Sequence, residues 1–147
     1  MDASEVALKR QVFISHSGTD TWVAKQIARQ VRSCGARTFL DEEQIEAGAD
    51  FEDEVLSSLD KSHELLVLMT PWSRERPYVW LELGAAMGKG LYIVAVLHGL
   101  TPAEIQADEK MVVFLKKKKL IDINEIQTYF RQLRRRARAT DGRQPKR

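Results

Sequence analysis

Tyr78 and Glu82 stand four residues apart in the segment Pro77-Tyr78-Val79-Trp80-Leu81-Glu82. If that segment is helical, both side chains lie on one face. An aromatic ring beside a carboxylate suits a planar, cationic group carried on a ribose. The plainer reading is that Tyr78 and Trp80 pack and Glu82 is a solvated acid, as most glutamates are. A second cluster, Ser15-His16-Ser17-Gly18-Thr19, is rich in hydroxyls and follows an apolar run. Backbone N–H groups and hydroxyls in such a loop can hold a phosphate at the start of the next helix. Here too a plainer reading exists, a capped turn, because Ser, Thr and Gly are the ordinary residues of turns.

Other chemistries lack their residues. No Gly-x-Gly-x-x-Gly follows a strand, and Gly84 to Gly90 has neither the spacing nor the Ser or Thr of a phosphate-binding P-loop. A phospho-acceptor site would need acids at the ends of the first and third strands, where Ser15-His16-Ser17 and Thr70-Pro71 stand. His16, His63 and His98 are isolated and there is one cysteine, so no zinc cluster is spelled out. His63 reads as a helix-end residue. No Gly-x-Ser-x-Gly elbow is present.

The elements that must position the two clusters follow from periodicity. Apolar runs at Gln11–Ser15, Arg37–Leu40, Leu65–Met69, Leu91–Leu97 and, more briefly, Leu120–Ile123 predict five strands. Val23, Ile27, Ala28 and Val31 recur at helical spacing after Asp20, an expected N-cap, and Gly35 ends that helix. Phe51, Val55, Leu56 and Leu59 mark a second helix, Tyr78 to Gly88 a third, and Ile126, Tyr129, Phe130 and Leu133 a last one. His98 to Lys110 reads as a loop with a turn of helix after Pro102. Solidly apolar strands alternating with helices predict an α/β fold: a five-stranded parallel sheet of flavodoxin-like order 2-1-3-4-5 with helices on both faces. Ligands of such sheets bind at the carboxyl ends of the strands. The loops after the first, second and third strands are therefore where chemistry is expected.

The 147 residues suit one domain. The expected limits are a leader at 1–10, a domain at 11–137 and a frayed basic tail at 138–147. Apolar runs are far shorter than the roughly 20 residues that span a bilayer, and Met1 to Arg10 lacks the apolar stretch of a signal peptide. Cys34 is the single cysteine, which fits a reducing, cytoplasmic setting. The net charge of +2 is uneven: Arg131 to Arg147 carries eight basic residues and one acid, which leaves the rest of the chain at −5. A solvated helix face is the expected role of that basic run. It interleaves with no aromatics, so nucleic acid is not the expected partner.

Three segments together resemble a TIR domain. Val12-Phe13-Ile14-Ser15-His16-Ser17 is similar to the family's first box. Phe39-Leu40-Asp41 with Ile45-Glu46-Ala47-Gly48 and Phe51 is similar to its second strand and BB loop. Tyr78-Val79-Trp80-Leu81-Glu82 is similar to the Trp-x-x-x-Glu stretch of the NAD-cleaving members. The resemblance runs from about Gln11 to Arg136 and is closer to bacterial TIR proteins and the axon-degeneration NADase than to Toll-receptor adaptors. It implies that NAD is the substrate, with no further cofactor and no metal, and that Glu82 is the catalytic residue. It implies that Ser15, His16, Ser17, Asp41 and Glu46 flank the dinucleotide. Tyr78, where the family more often has tryptophan, would stack near nicotinamide, with Trp80 as substitute if the helix is rotated. The products would be nicotinamide and ADP-ribose, or a cyclic product, serving bacterial antiphage immunity. The alternative the family offers is a scaffold acting through TIR–TIR association at the BB loop. A nucleoside deoxyribosyltransferase-like enzyme, of the same fold type, ranks third.

Overall fold

The computed structural model of the chain describes residues 9–40, 51–115 and 119–140. Five strands form one parallel sheet: β1 (Gln11–Ser15), β2 (Arg37–Leu40), β3 (Glu64–Met69), β4 (Tyr92–Leu97) and β5 (Lys119–Asp122). Their spatial order is β2-β1-β3-β4-β5, as the alternation of elements predicts. The helices are α1 (Thr21–Ser33), α2 (Phe51–Asp60), α3 (Pro77–Gly88), α4 (Pro102–Ala107), α5 (Glu109–Leu115) and α6 (Ile126–Thr140).

The strands' period of two divides the core into two layers. Phe13, Leu65, Val67, Met69, Ile93 and Ala95 face one side, where Val55 and Leu59 of α2, Val79 and Leu83 of α3, and Met111 and Leu115 of α5 cover them. Val12, Ile14, Leu66, Leu68, Val94 and Val96 face the other, under α1 and α6. Burial on both faces is why these strands read as unbroken apolar runs.

Four local expectations are corrected. The turn of helix expected after Pro102 is present as α4, but the chain then enters a second helix, α5, where loop was expected up to Lys110. Thr101 and Glu104 make a reciprocal capping box that starts α4, and Met111 and Leu115, four apart, bury one face of α5. Asp20 precedes α1 but its side chain does not cap it. Its Oδ2 accepts hydrogen bonds from Ser17 Oγ (2.7 Å) and Thr70 Oγ1 (2.6 Å), tying the loop after β1 to the loop after β3. The helix expected to fray from Arg138 continues to Thr140.

The third correction has its cause at the amino-terminal edge of the sheet. Glu64 is fully buried at the start of β3. Arg136 of α6 donates to both of its oxygens (2.7 and 3.1 Å), Arg10 donates from beyond β1, and Tyr129 Oη adds a third donor at 3.0 Å. Thr140 accepts from Arg10 (2.8 Å) and donates to the Arg136 carbonyl (2.7 Å). A buried carboxylate demands such partners, so the bonded unit reaches past the expected limits of 11 and 137. Burial and the Glu64 charge push the Tyr129 hydroxyl well above its ordinary pKa. His63 is likewise no helix-end residue, since α2 ends at Asp60 and β3 starts at Glu64. It is buried beside Glu64, and its Nδ1 accepts the Gln11 backbone N–H at 3.0 Å.

Candidate active site

Helix α3 begins at Pro77, whose fixed φ and missing N–H suit the first helical position. Val79, Glu82, Leu83 and Ala86 recur at helical spacing and form its buried stripe. A carboxylate thus occupies a position where the pattern calls for an apolar residue. Glu82 is 2% exposed, so the solvated-acid reading does not hold.

What meets Glu82 is the carboxyl end of β1. Ser15 Oγ donates to Glu82 Oε1 at 2.6 Å, a buried contact across 67 residues of sequence. The short distance fits a charge-assisted bond. Ser15 is held by the sheet, with its Cα paired to Val67 of β3, so the hydroxyl comes from a rigid element. A cavity of about 120 Å³ lies between α2 and α3, with Glu82, Tyr78, Leu81 and Ala85 on one side and Glu52, Val55, Leu56 and Leu59 on the other. Tyr78 is 48% exposed, which places it at the cavity's open edge. The expected pairing of aromatic and carboxylate on one helix face is present. The walls are mainly apolar, with two carboxylates among them, a composition that suits a flat ring bearing positive charge. Larger grooves exist, of about 550 Å³ beside Arg74 and Lys110 and about 480 Å³ beside Tyr92 and Arg135, but both are open surface depressions away from Glu82.

The other expected site residues divide. His16 and Ser17 are buried in the loop that follows Ser15. Ser17 spends its hydroxyl on Asp20, inside that loop. Trp80 is not at the cavity. Its Nε1 donates to the Arg74 carbonyl (2.8 Å), its ring packs on Phe114 at 5.3 Å, and Lys110 Nζ sits 5.7 Å from the ring centroid. Two residues along a helix is about 200° of rotation, so Trp80 and Glu82 face apart and Trp80 cannot substitute for Tyr78. Asp41 and Glu46, with the BB loop, lie outside the described residues. Glu52 was not among the expected residues. Nothing in the sequence marks it, because an acid in the first turn of a helix is common, and only the packing of α2 on α3 brings it to the cavity.

Among the described residues, no group of three or more His, Cys, Asp or Glu side chains could hold a metal ion, and no helix is long and apolar enough to cross a membrane.

Comparison with known proteins agrees with this fold. The fold is similar to the TIR domain of the Toll-related receptor TRR-2 from the lower metazoan Hydra magnipapillata, with a TM-score of 0.68 and 19% identity over 86% of this chain and 97% of that one. It is also similar to the TIR domains of the activated Roq1 resistosome that recognises the pathogen effector XopQ, with a TM-score of 0.60 and 16% identity over 92% and 86% of the two chains. No curated protein sequence matches the chain. The sequence matches the TIR domain family over residues 12–136, and the chain belongs to that family.

Proposed function

We propose that this TIR domain cleaves NAD at the bond between nicotinamide and ribose, with Glu82 as the catalytic carboxylate. One observation carries the reading: a buried glutamate on the core-facing stripe of α3, oriented by Ser15 and lining a mainly apolar cavity edged by Tyr78. The cavity has room for one small ring, not for a dinucleotide, since pockets for larger ligands run from about 300 to 1,000 Å³.

The chemistry follows from the bond. Nicotinamide in NAD is a cationic leaving group, so its departure needs no proton. The C1′–N bond breaks with its electron pair going to nicotinamide, which leaves neutral. Positive charge develops on the ribose, and a nearby carboxylate stabilises it, most strongly where water is excluded. Ser15 fixes the carboxylate beforehand, so little reorganisation accompanies the charge. Water then adds to C1′ and releases a proton, giving ADP-ribose, or a nitrogen of the substrate's own adenine adds and gives a cyclic product. The likeness of the three boxes to bacterial TIR proteins extends the reading to a soluble signal made in the cytoplasm during antiphage defence.

A second reading rests on the cavity's mouth. Leu56, Leu81 and Tyr78 are exposed there together, and an apolar rim of that kind also suits contact with another TIR domain. Assaying nicotinamide release from NAD by purified protein, across a range of protein concentrations, separates the two. We expect release by the wild type and a loss of about 10²- to 10³-fold in Glu82→Gln, the scale of one preorganised electrostatic group. Full activity in that variant removes the assignment. No release by the wild type at any concentration leaves the scaffold reading.

A further inference from the structure

We propose that Trp22 and Trp72 form an aromatic rim that stacks the purine of the dinucleotide, a subsite that rests on the NAD reading above. The chain has three tryptophans. Trp80 is accounted for by its hydrogen bond to Arg74 and its packing on Phe114. Trp22 and Trp72 are 72% and 51% exposed. An indole offers the largest apolar face of any side chain, so two of them left in water in the segments that follow the adjoining strands β1 and β3 mark a contact surface.

Their place is the carboxyl edge of the sheet where β1 and β3 adjoin. The connections from these strands leave on opposite faces there, α1 on one and α3 on the other. That is the switch point at which open α/β sheets bind ligands. Each tryptophan stands two residues from one partner of the Asp20–Thr70 hydrogen bond. That bond is the centre of a rigid node. Thr70 Oγ1 also accepts from the backbone N–H of Trp72 (3.2 Å) and of Ser73 (3.0 Å), and Ser17 Oγ donates to Asp20. The indoles are therefore carried on a fixed support, not on free loops.

The loop that runs to this node from β1 starts at Ser15, the residue that holds Glu82. Nicotinamide fills the small cavity at Glu82, so the adenine half must lie outside it. The Ser15–Asp20 segment joins the residue that holds Glu82 to the Asp20–Thr70 bond near the two tryptophans in sequence. A purine stacks well on an indole, and stacking tolerates imperfect register because it needs no directional hydrogen bond.

The test is a titration of the ¹⁵N-labelled full chain with AMP, which carries the purine and one phosphate but no nicotinamide. The three indole N–H resonances are assigned with Trp22→Phe, Trp72→Phe and Trp80→Phe. We expect AMP to shift the Trp22 and Trp72 signals and leave Trp80 unmoved. The double variant Trp22→Ala/Trp72→Ala should bind AMP at least about tenfold more weakly, and the double Phe variant should recover most of that, as one base–aromatic stack predicts. Ribose 5-phosphate, lacking the base, should leave both indoles unshifted. Glu82→Gln should bind AMP normally while losing nicotinamide release, so failure of the reaction and failure of the rim are read separately. The proposal is overturned if AMP leaves both indoles unmoved, if the double Ala variant binds AMP as the wild type does, or if ribose 5-phosphate binds as tightly as AMP. It is overturned equally if the two signals move only with protein concentration, which would give the indoles to a second copy of the chain.

Discussion

Two glutamates are buried at opposite ends of one sheet, and their surroundings differ in kind. Glu64, at the amino end of β3, takes hydrogen bonds from two guanidinium groups and a phenol. Its partners come from before β1 and from α6, so it fastens these two segments together. Glu82, facing the carboxyl end of β1, takes a bond from the neutral hydroxyl of Ser15 and borders a cavity. The first carboxylate is enclosed by positive charge that belongs to the protein. The second lines a cavity between two helices. Burial of a charge is costly in both places; of the two carboxylates, Glu82 is the one that lines a cavity, and a buried acid at a cavity is a candidate for chemistry.

The largest effect is expected from breaking the structural end. Glu64→Ala leaves two arginines beside an emptied site and should lower stability by roughly 3–5 kcal/mol, read by urea denaturation. Nicotinamide release per folded molecule should stay unchanged; a fall in that number would mean the two ends are coupled and the contrast is false.

The next effect also lies at this end. Burial, then the nearby charge of Arg10, holds His63 down at about pKa 4 against an ordinary 6.5, with Glu64 opposing and Arg37 assisting. The unfolded chain thus takes up the proton more readily. His63 contributes its full stability above pH 6.5 and loses it as the pH falls toward 4. His63→Asn keeps an acceptor near the Gln11 N–H and cannot titrate. Its stability should vary less over that window than the wild type's, and parallel curves would show that another group carries the pH dependence.

At the other end, Ser15→Ala removes the hydroxyl that orients Glu82. We expect nicotinamide release to fall about tenfold, the scale of one hydrogen bond to a charged group, with the melting temperature little changed. A loss as large as that of Glu82→Gln would make Ser15 a direct participant, and no loss would make it only a packing contact.

The strands were the most readable part of this chain. Residues buried on both faces must be apolar throughout, so LLVLM and YIVAVL declare themselves. Helices α4 and α5 were harder, being short and only half covered, although Thr101-Pro102-Ala103-Glu104 carries the spacing of a capping box. Asp20 shows how a correct residue can mislead. An acid before a helix reads as a cap, but a neighbouring loop offered it Thr70 and Ser17 instead.

By itself the sequence determined the α/β class, the strand order and the segment that bears Glu82, because these depend on periodicity and local spacing. Tyr78 and Glu82 share a face for the same reason, four residues being about one helical turn. Only the tertiary structure decided that Glu82 is turned inward while Tyr78 stays at the cavity's edge, that Ser15 meets Glu82 and that Glu52 stands across the cavity. It also decided that Trp80 points away and that Glu64 joins the segment before β1 to α6. Those facts depend on which elements pack together, across 67 residues for Ser15 and Glu82 and 72 for Glu64 and Arg136. Local spacing fixes which side of a helix a residue occupies; burial in the assembled core fixes what that side touches.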